Sequence, residues 1–404
     1  MNNEWTRVTR EEMTGSEATR KSLTYWQDVW RRLRQNVMAM TGLIMIITIS
    51  LLAIFGPMFS DFSYSDQVLA YANIPPRIEV TKITDDHYVY VHNEFRLIEV
   101  TADGELIGIP EEIEKNTINR YITYNIGGNE VKFDYSSAMA STGKKGSTAT
   151  EEVSNKMIDK YEIYVNGSPI DKYNAKEVSN KTYFLGTDNL GRDVWTRVLY
   201  GARISLTVGL VASIVNVFIG VLYGGIAGYE GGKVDNIMMR IVDIINSVPL
   251  LLIVIMLMVV IEPGLKTIIL TIGLVYWVGM ARLVRGQVLS LKEQEFVLAA
   301  RALGVSKGKI IVRHLIPNAI GPIVVSMMMA IPSAIFTESF LSFIGLGVSA
   351  PEASWGTLAN DALGGIRSYP YQLVVPSIAI ALTMFAFNFL GDGLRDALDP
   401  RLRK

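Results

Sequence analysis

Six long apolar runs dominate the chain and leave few folds open to it. They extend over about Val37 to Phe59, Ile204 to Tyr229, Ile237 to Ile261, Thr267 to Leu283, Ala319 to Leu346 and Leu373 to Leu390. A helix needs about 20 mostly apolar residues to cross the hydrocarbon of a bilayer. Backbone groups find no water there, so each run must satisfy its own N–H and C=O groups as a helix. The first run starts too late, runs too long and lacks the small-residue cleavage pattern of a signal peptide. The expected fold class is an α-helical polytopic membrane protein of about six transmembrane helices. Only 19% of the 404 residues are charged, against about 25% in a soluble domain.

Lysine and arginine near the span ends set the orientation. Trp30-Arg31-Arg32-Leu33-Arg34 precedes the first span. The loop after the fourth carries Arg282, Arg285, Lys292, Arg301, Lys307, Lys309 and Arg313 against Glu293 and Glu295, and the tail carries Arg395, Arg401, Arg403 and Lys404. With six spans these segments all fall on one side, so both termini are expected in the cytoplasm of a multi-pass cell-membrane protein. The long stretch between the first two spans then lies outside. From Asp61 to Lys181 it holds 20 acidic and 13 basic residues, a net of −7. Tyr88 to Val91, Leu97 to Val100 and Val131 to Phe133 read as strands. Asp103-Gly104, Gly127-Gly128 and Asn166-Gly167 read as hairpin turns. Ala140 to Thr150 reads as a loop. The expected organisation is a cytoplasmic segment over 1–36, a first span over 37–60, a β-rich extracytoplasmic insert over 61–183, and a core over 184–404 with a cytoplasmic loop over 286–316.

Several chemistries are excluded or weakened. The chain has no cysteine and only three histidines, which argues against thiolate, disulfide and histidine-based metal chemistry. No Gly-rich loop ending in Gly-Lys-Ser/Thr occurs, so the chain is expected not to hydrolyse ATP or act as an enzyme. A net charge of −1 gives no reason to expect nucleic acid. Asp188 to Asp193 misses the alternate acceptor positions of an EF-hand and reads as a polar turn capping the helix that includes Trp195.

The basic inner loop is the most informative motif. Ser290-Leu291-Lys292-Glu293 has capping-box spacing, so a helix is expected to start there. Gly304 supplies its stop. Phe296, Ala299, Ala300 and Leu303 fall at i, i+3, i+4 and i+7 as one apolar stripe. A second amphipathic piece, Lys309 to Leu315, is expected to end before Pro317. Such a helix either lies on the inner membrane surface or docks a cytoplasmic partner. Asp243, Glu338 and Asn388 are polar residues within or near spans, where exposure to lipid is costly. Each either lines a path or gate, or else makes an interhelix hydrogen bond or sits close to the membrane interface. Pro249, Pro332 and Gly345 mark kinks or close packing.

Phe296 to Gly304, followed by Ile316-Pro317-Asn318, resembles the signature cytoplasmic loop of ABC importer permeases. That signature is Glu-Ala-Ala, three residues and Gly, with a later Pro. Leu298 stands at the Glu position, which removes a carboxylate but not the docking face. Further segments resemble the dipeptide and oligopeptide permease branch, C-type subunit: Leu185 to Asp193 with Gly201 to Leu206, Arg240 to Asp243 with Pro249 to Leu251, Glu338 to Gly347, and Asp392 to Arg401. The resemblance implies a permease subunit of an ATP-driven importer for oligopeptides or dipeptides. It implies a coupling surface at Phe296, Leu298, Ala299, Ala300, Leu303, Gly304 and Pro317. It implies a second homologous permease, two ABC ATPase subunits that use ATP and Mg, and an extracytoplasmic substrate-binding protein. No cofactor is expected on this chain. A membrane receptor with a ligand-binding β domain is the alternative, although the inner loops and tail offer little room for an output domain.

Overall fold

The computed structural model describes residues 24–137 and 161–399. The loop expected over Ala140 to Thr150 lies outside them. Helix α1 (Tyr25–Gln35) leads through Asn36 into α2 (Val37–Phe55), the first apolar run. Asn36 caps α2 by accepting the Ala39 N–H at 3.1 Å. The core continues with α3 (Val194–Glu230), α4 (Gly232–Ser247), α5 (Leu250–Ile261), α6 (Leu265–Leu291), α7 (Glu295–Ala302), α8 (Ile320–Phe343), α9 (Trp355–Asp361) and α10 (Tyr371–Leu398). Five of these helices are long and apolar enough to cross a membrane, and α4 with α5 makes up to six.

The third apolar run is not one straight span. It divides into α4 and α5, bent by 82°. The break falls at Val248-Pro249. Proline has no N–H to donate and clashes with the preceding turn, so a helix ends at or before the residue ahead of it. Pro332 and Pro376, by contrast, lie inside α8 and α10.

Helices α3 and α6 pack along their lengths because α3 carries Gly220, Gly224 and Gly228 one turn apart. A Cβ at Gly228 would lie 2.9 Å from the Arg285 carbonyl and the Val288 side chain. Small residues at this spacing let helix backbones approach closely where lipid supplies no hydrophobic drive. Gly42 of α2 makes the same kind of contact with α10, where its Cβ would meet the Ala386 carbonyl at 2.5 Å.

The β-rich domain sits between α2 and α3, as expected. It has two five-stranded antiparallel sheets, in the orders β10-β1-β2-β3-β4 and β5-β6-β7-β8-β9. The three strand-like runs are β2 (Tyr88–His92), β3 (Arg96–Val100) and β7 (Asn129–Asp134). Of the rest, β1 is Arg77–Lys82, β4 Leu106–Gly108, β5 Glu111–Asn116, β6 Tyr121–Ile126, β8 Glu162–Val165, β9 Ser168–Pro169 and β10 Lys176–Ser179. The turns follow from backbone chemistry. Gly127 and Gly128 have φ of 58° and 79°, and Asn166 and Gly167 have 48° and 82°. Two successive positive φ values give the turn whose twist suits a two-residue hairpin. Val89, Leu97, Val131, Phe133 and Ile163 are fully buried in one core; Ile78, Val80, Ile98 and Val100 form another.

Backbone and side-chain hydrogen bonds root the domain on the bundle. The Thr187 N–H donates to the Ile74 carbonyl at 2.8 Å. At the start of α10, the Tyr371 hydroxyl donates to the carbonyls of Ile74 at 3.0 Å and Thr187 at 2.7 Å. Gln372 Nε2 donates to Thr187 O at 2.9 Å and Asn73 Oδ1 at 3.0 Å.

Candidate functional site

Helix α7 stands at the end of the bundle away from the β domain. It starts later than the capping-box reading places it. Ser290 and Leu291 are the last residues of α6, whose buried Val284 and Val288 keep it packed on α3 to its end. The chain turns at Lys292 to Gln294, and α7 begins at Glu295 with no side-chain cap. Its end matches expectation. Gly304 has φ +77°, its N–H donates to Arg301 O at 2.9 Å, and Val305 N–H donates to Ala300 O at 3.1 Å. This is the paired closure of a Schellman motif. Lys309 to Leu315 does not stop before Pro317. The backbone is helical over Lys307–Ile310, widens into a π-turn over Ile311–Leu315, and carries Pro317 in the short helix Ile316–Asn318.

The single apolar stripe also needs correction. Val297 and Ala300 are buried in a core formed with Tyr229, Val284, Val288, Ile310, Ile311 and Leu315. Phe296, Leu298 and Ala299 face out, and Leu303 is 83% exposed. The apolar arc of α7 is wider than the strip its own bundle covers. Ala300 therefore belongs to the anchoring side and Ala299 to the free side. Two polar contacts reinforce the anchor. The Arg301 guanidinium lies 5.1 Å from the centre of the Tyr229 ring, and Lys307 Nζ pairs with Glu230 at 2.9 Å. Val297 is the anchoring residue that the sequence pattern missed; its i, i+3 relation to Ala300 was the available signal.

The three polar span residues have different surroundings, and no hydrogen bond among the described residues joins them. Asp243 is exposed on α4 and accepts from Arg282 of α6 at 2.8 Å. Asn388 is half-buried on α10. Glu338 is fully buried on α8. It accepts hydroxyl hydrogen bonds from Ser205 of α3 at 2.9 Å and from Ser342 at 2.8 Å, with Ser339 at 3.3 Å. Ser354 Oγ reaches Ser342 Oγ at 3.3 Å, and the Trp355 N–H reaches Ser205 Oγ at 3.4 Å. The Trp355 indole N–H donates to Val198 O at 3.0 Å. Glu338 thus ties α3, α8 and the entry to α9, which is the interhelix-bond reading. Ser342, one turn after Glu338, was a legible signal for the bond between them.

A charged cluster that sequence reasoning missed lies beneath the β domain. Asp188 Oδ1 accepts the N–H groups of Leu190 at 2.9 Å and Arg192 at 3.0 Å. Its Oδ2 accepts from Arg192 Nε at 2.7 Å and also from Arg197. Both arginines reach Asp361 of α9, at 3.5 and 3.6 Å. The Asp188 oxygens are therefore committed to arginine and backbone, in keeping with the polar-turn reading. Asp193 caps α3 by accepting the Thr196 N–H at 2.8 Å, and burial pushes its carboxyl above the usual range. No sequence spacing reveals Asp361, which meets the arginines only through the fold.

A bundle with five or six helices long and apolar enough to cross a membrane, carrying an inserted β domain, is the architecture of a polytopic membrane protein. The family described as "Binding-protein-dependent transport system inner membrane component" matches residues 220–404, and "N-terminal TM domain of oligopeptide transport permease C" matches residues 24–76. The oligopeptide transport system permease protein OppC of Bacillus subtilis is 39% identical over 96% of this chain and 93% of its own length. The dipeptide permease DppC of the same organism is 38% identical over 99% and 94%. OppC of Escherichia coli is 48% identical over 57% of this chain and 76% of its own length. The chain belongs to the binding-protein-dependent ABC transporter permease family, in its OppC/DppC branch. A solved structure of the MetNI methionine ABC transporter is similar at a TM-score of 0.42 and 18% identity, over 50% of this chain and 96% of that one.

Proposed function

We propose that the chain is one permease subunit of an ATP-driven importer of oligopeptides or dipeptides, with both termini in the cytoplasm. It pairs with a second, homologous permease to enclose the path. An extracytoplasmic binding protein delivers the peptide. Two ATPase subunits bind ATP and Mg, and one of them seats α7. The observation that carries this reading is α7 itself, anchored through Val297 and Ala300 while Phe296, Leu298, Ala299 and Leu303 face outward. A push on those side chains reaches the ends of α3 and α6 and the start of α8 through one packed core. Movement of these helices then alternates access to the path. The names of the B. subtilis relatives support peptide as the cargo.

The β domain reads as an outer contact surface for the binding protein or the partner permease. Strands β4 and β5 are sheet edges, and Ile107, Ile113 and Ile118 stand exposed beside Glu111, Glu112 and Glu114. An unpaired edge with exposed β-branched residues invites a protein partner.

Purification from gently solubilised membranes tests the proposal. A second permease and two P-loop ATPases should copurify, and vesicles holding the complex should take up peptide only with ATP. Recovery of the chain alone, from extracts that keep other complexes intact, overturns it.

A further inference from the structure

Helix α1 carries more apolar surface than the described residues cover. On a helical wheel Val29 and Leu33 form the centre of its apolar arc, and both are buried against Leu390, Ala397 and Leu398 of α10. Trp26 and Trp30 extend the same arc to one side. They are 56% and 42% exposed, so the bundle ends where they begin. Arg34 follows Trp30 by one turn, and its guanidinium lies 4.9 Å from the ring centre. Beyond it come Gln27 and Arg31 on the outermost face. The helix holds three arginines against one aspartate. Asp28 is engaged by Arg31 at 3.0 Å and Arg32 at 2.9 Å, which leaves a surplus of positive charge.

The placement says what covers this face. Only Asn36 separates α1 from the apolar helix α2, so α1 lies where that span leaves the hydrocarbon. Gly321 at the start of α8 borders both Tyr25 and Leu398, which puts α1 on the α7 side of the membrane. Tryptophan prefers the boundary between acyl chains and headgroups. Arginine beside it extends its charge to the phosphate layer. A basic helix at that depth is attracted to acidic lipid.

We propose that α1 is a docking surface for anionic phospholipid headgroups in the leaflet on the α7 side. Trp26 and Trp30 enter the acyl boundary, and Arg31 and Arg34 hold the phosphate. Because Val29 and Leu33 clasp the end of α10, the lipid also fixes the angle at which α2 and α10 leave the membrane. The inference rests on the membrane placement of the bundle, and holds or fails independently of cargo and ATPase docking.

The test uses the assembled transporter in nanodiscs that contain both phosphatidylglycerol and phosphatidylcholine. One lipid or the other carries a photocrosslinker at the headgroup, and labelled peptides are read by mass spectrometry. The phosphatidylglycerol probe should label the Trp26 to Arg34 peptide over the phosphatidylcholine probe by roughly fivefold for each arginine charge engaged. The pair Arg31→Glu and Arg34→Glu should bring the two probes to parity, and Arg31→Lys with Arg34→Lys should keep the preference. Trp26→Ala with Trp30→Ala should lower labelling by both probes. Equal labelling by the two probes in the unmodified complex overturns the proposal, and this readout stands even where a variant fails to assemble. A preference that survives charge reversal overturns it as well. So does a preference abolished by millimolar inorganic phosphate but not by chloride of equal ionic strength, since the site would then take free phosphate.

Discussion

The two ends of the bundle solve opposite problems. Beneath the β domain, charged side chains are enclosed: Glu338 is fully buried, Arg192 and Arg197 nearly so, and each has partners within this chain. At the far end, apolar side chains are exposed on α7 and α1. A buried polar group or an exposed apolar patch carries more information than the reverse. Under the β domain the enclosed charges meet hydroxyls, carboxylates and backbone of this chain, with the Arg197 Nε alone among them left without a hydrogen-bond partner among the described residues. The second end lacks its counterpart, and its exposed faces are those to which a partner is assigned above. Substitutions at the enclosed end should therefore act on stability, and those at the open end on function.

The largest effect on stability is expected from Asp188→Ala. It leaves Arg192 and Arg197 buried with only the distant Asp361 opposite, and removing one member of a buried charged group costs about 3–5 kcal/mol. Abundance in membranes should collapse, whereas Asp361→Ala, farther from the arginines and partly exposed, should be tolerated better. Equal abundance of the two variants would break the contrast. Glu338→Ala comes next. It strands the hydroxyls of Ser205 and Ser342, at about 1–3 kcal/mol for each buried group left unpaired. Glu338→Gln should recover much of the loss, as thermal unfolding of the purified protein would show.

The β domain offers a graded test. His92 is fully buried. Its Nδ1 accepts the Glu94 N–H at 3.1 Å and its Nε2 lies 2.5 Å from Ala72 O, an arrangement that fits the neutral ring. Burial holds its pKa below the ordinary 6.5. The unfolded chain takes up this proton near pH 6.5 and the folded chain only at lower pH. Below pH 6.5 the unfolded state thus binds more protons, and stability falls as pH falls. The melting temperature should drop between about pH 7 and pH 5, and less steeply in His92→Gln. At the Asp243–Arg282 pair, both side chains about half exposed, Asp243→Asn should cost only about 0.2–1 kcal/mol. A larger loss would move that pair to the enclosed class.

Legibility in the sequence followed the length of the interactions. Spans, hairpin turns and the Gly304 stop depend on neighbours in the chain, and each could be read from local pattern. The bend at Pro249 fell at a residue already marked as a kink, but its size depends on how α4 and α5 pack. The start of α7 was misplaced because Ser290 satisfies a local cap pattern while tertiary packing carries α6 past it. The sidedness of Ala299 and Ala300 depends on which arc of α7 the bundle covers. Asp361 meets the arginines across the fold, where no spacing rule reaches.

The smallest effect on stability and the sharpest on function belong together at α7. Leu303 and Ala299 touch little of their own chain, so Leu303→Glu and Ala299→Arg should leave abundance and melting within about 0.5 kcal/mol of the unmodified protein. Each places a charge in the surface proposed for the ATPase, where an unpaired buried charge is strongly unfavourable. Peptide uptake and copurification of the ATPase should both fall at least tenfold. Ala300→Arg, one residue away, should instead lose the protein from the membrane, because that side chain would have to enter the core around Val284 and Ile311. The adjacent pair separates the two kinds of surface within a single helical turn. If Ala299→Arg transports normally while the protein is abundant, α7 lies on lipid and not on an ATPase. If both variants vanish from the membrane, the free side of α7 is part of the fold, and the division between an enclosed end and an open end fails.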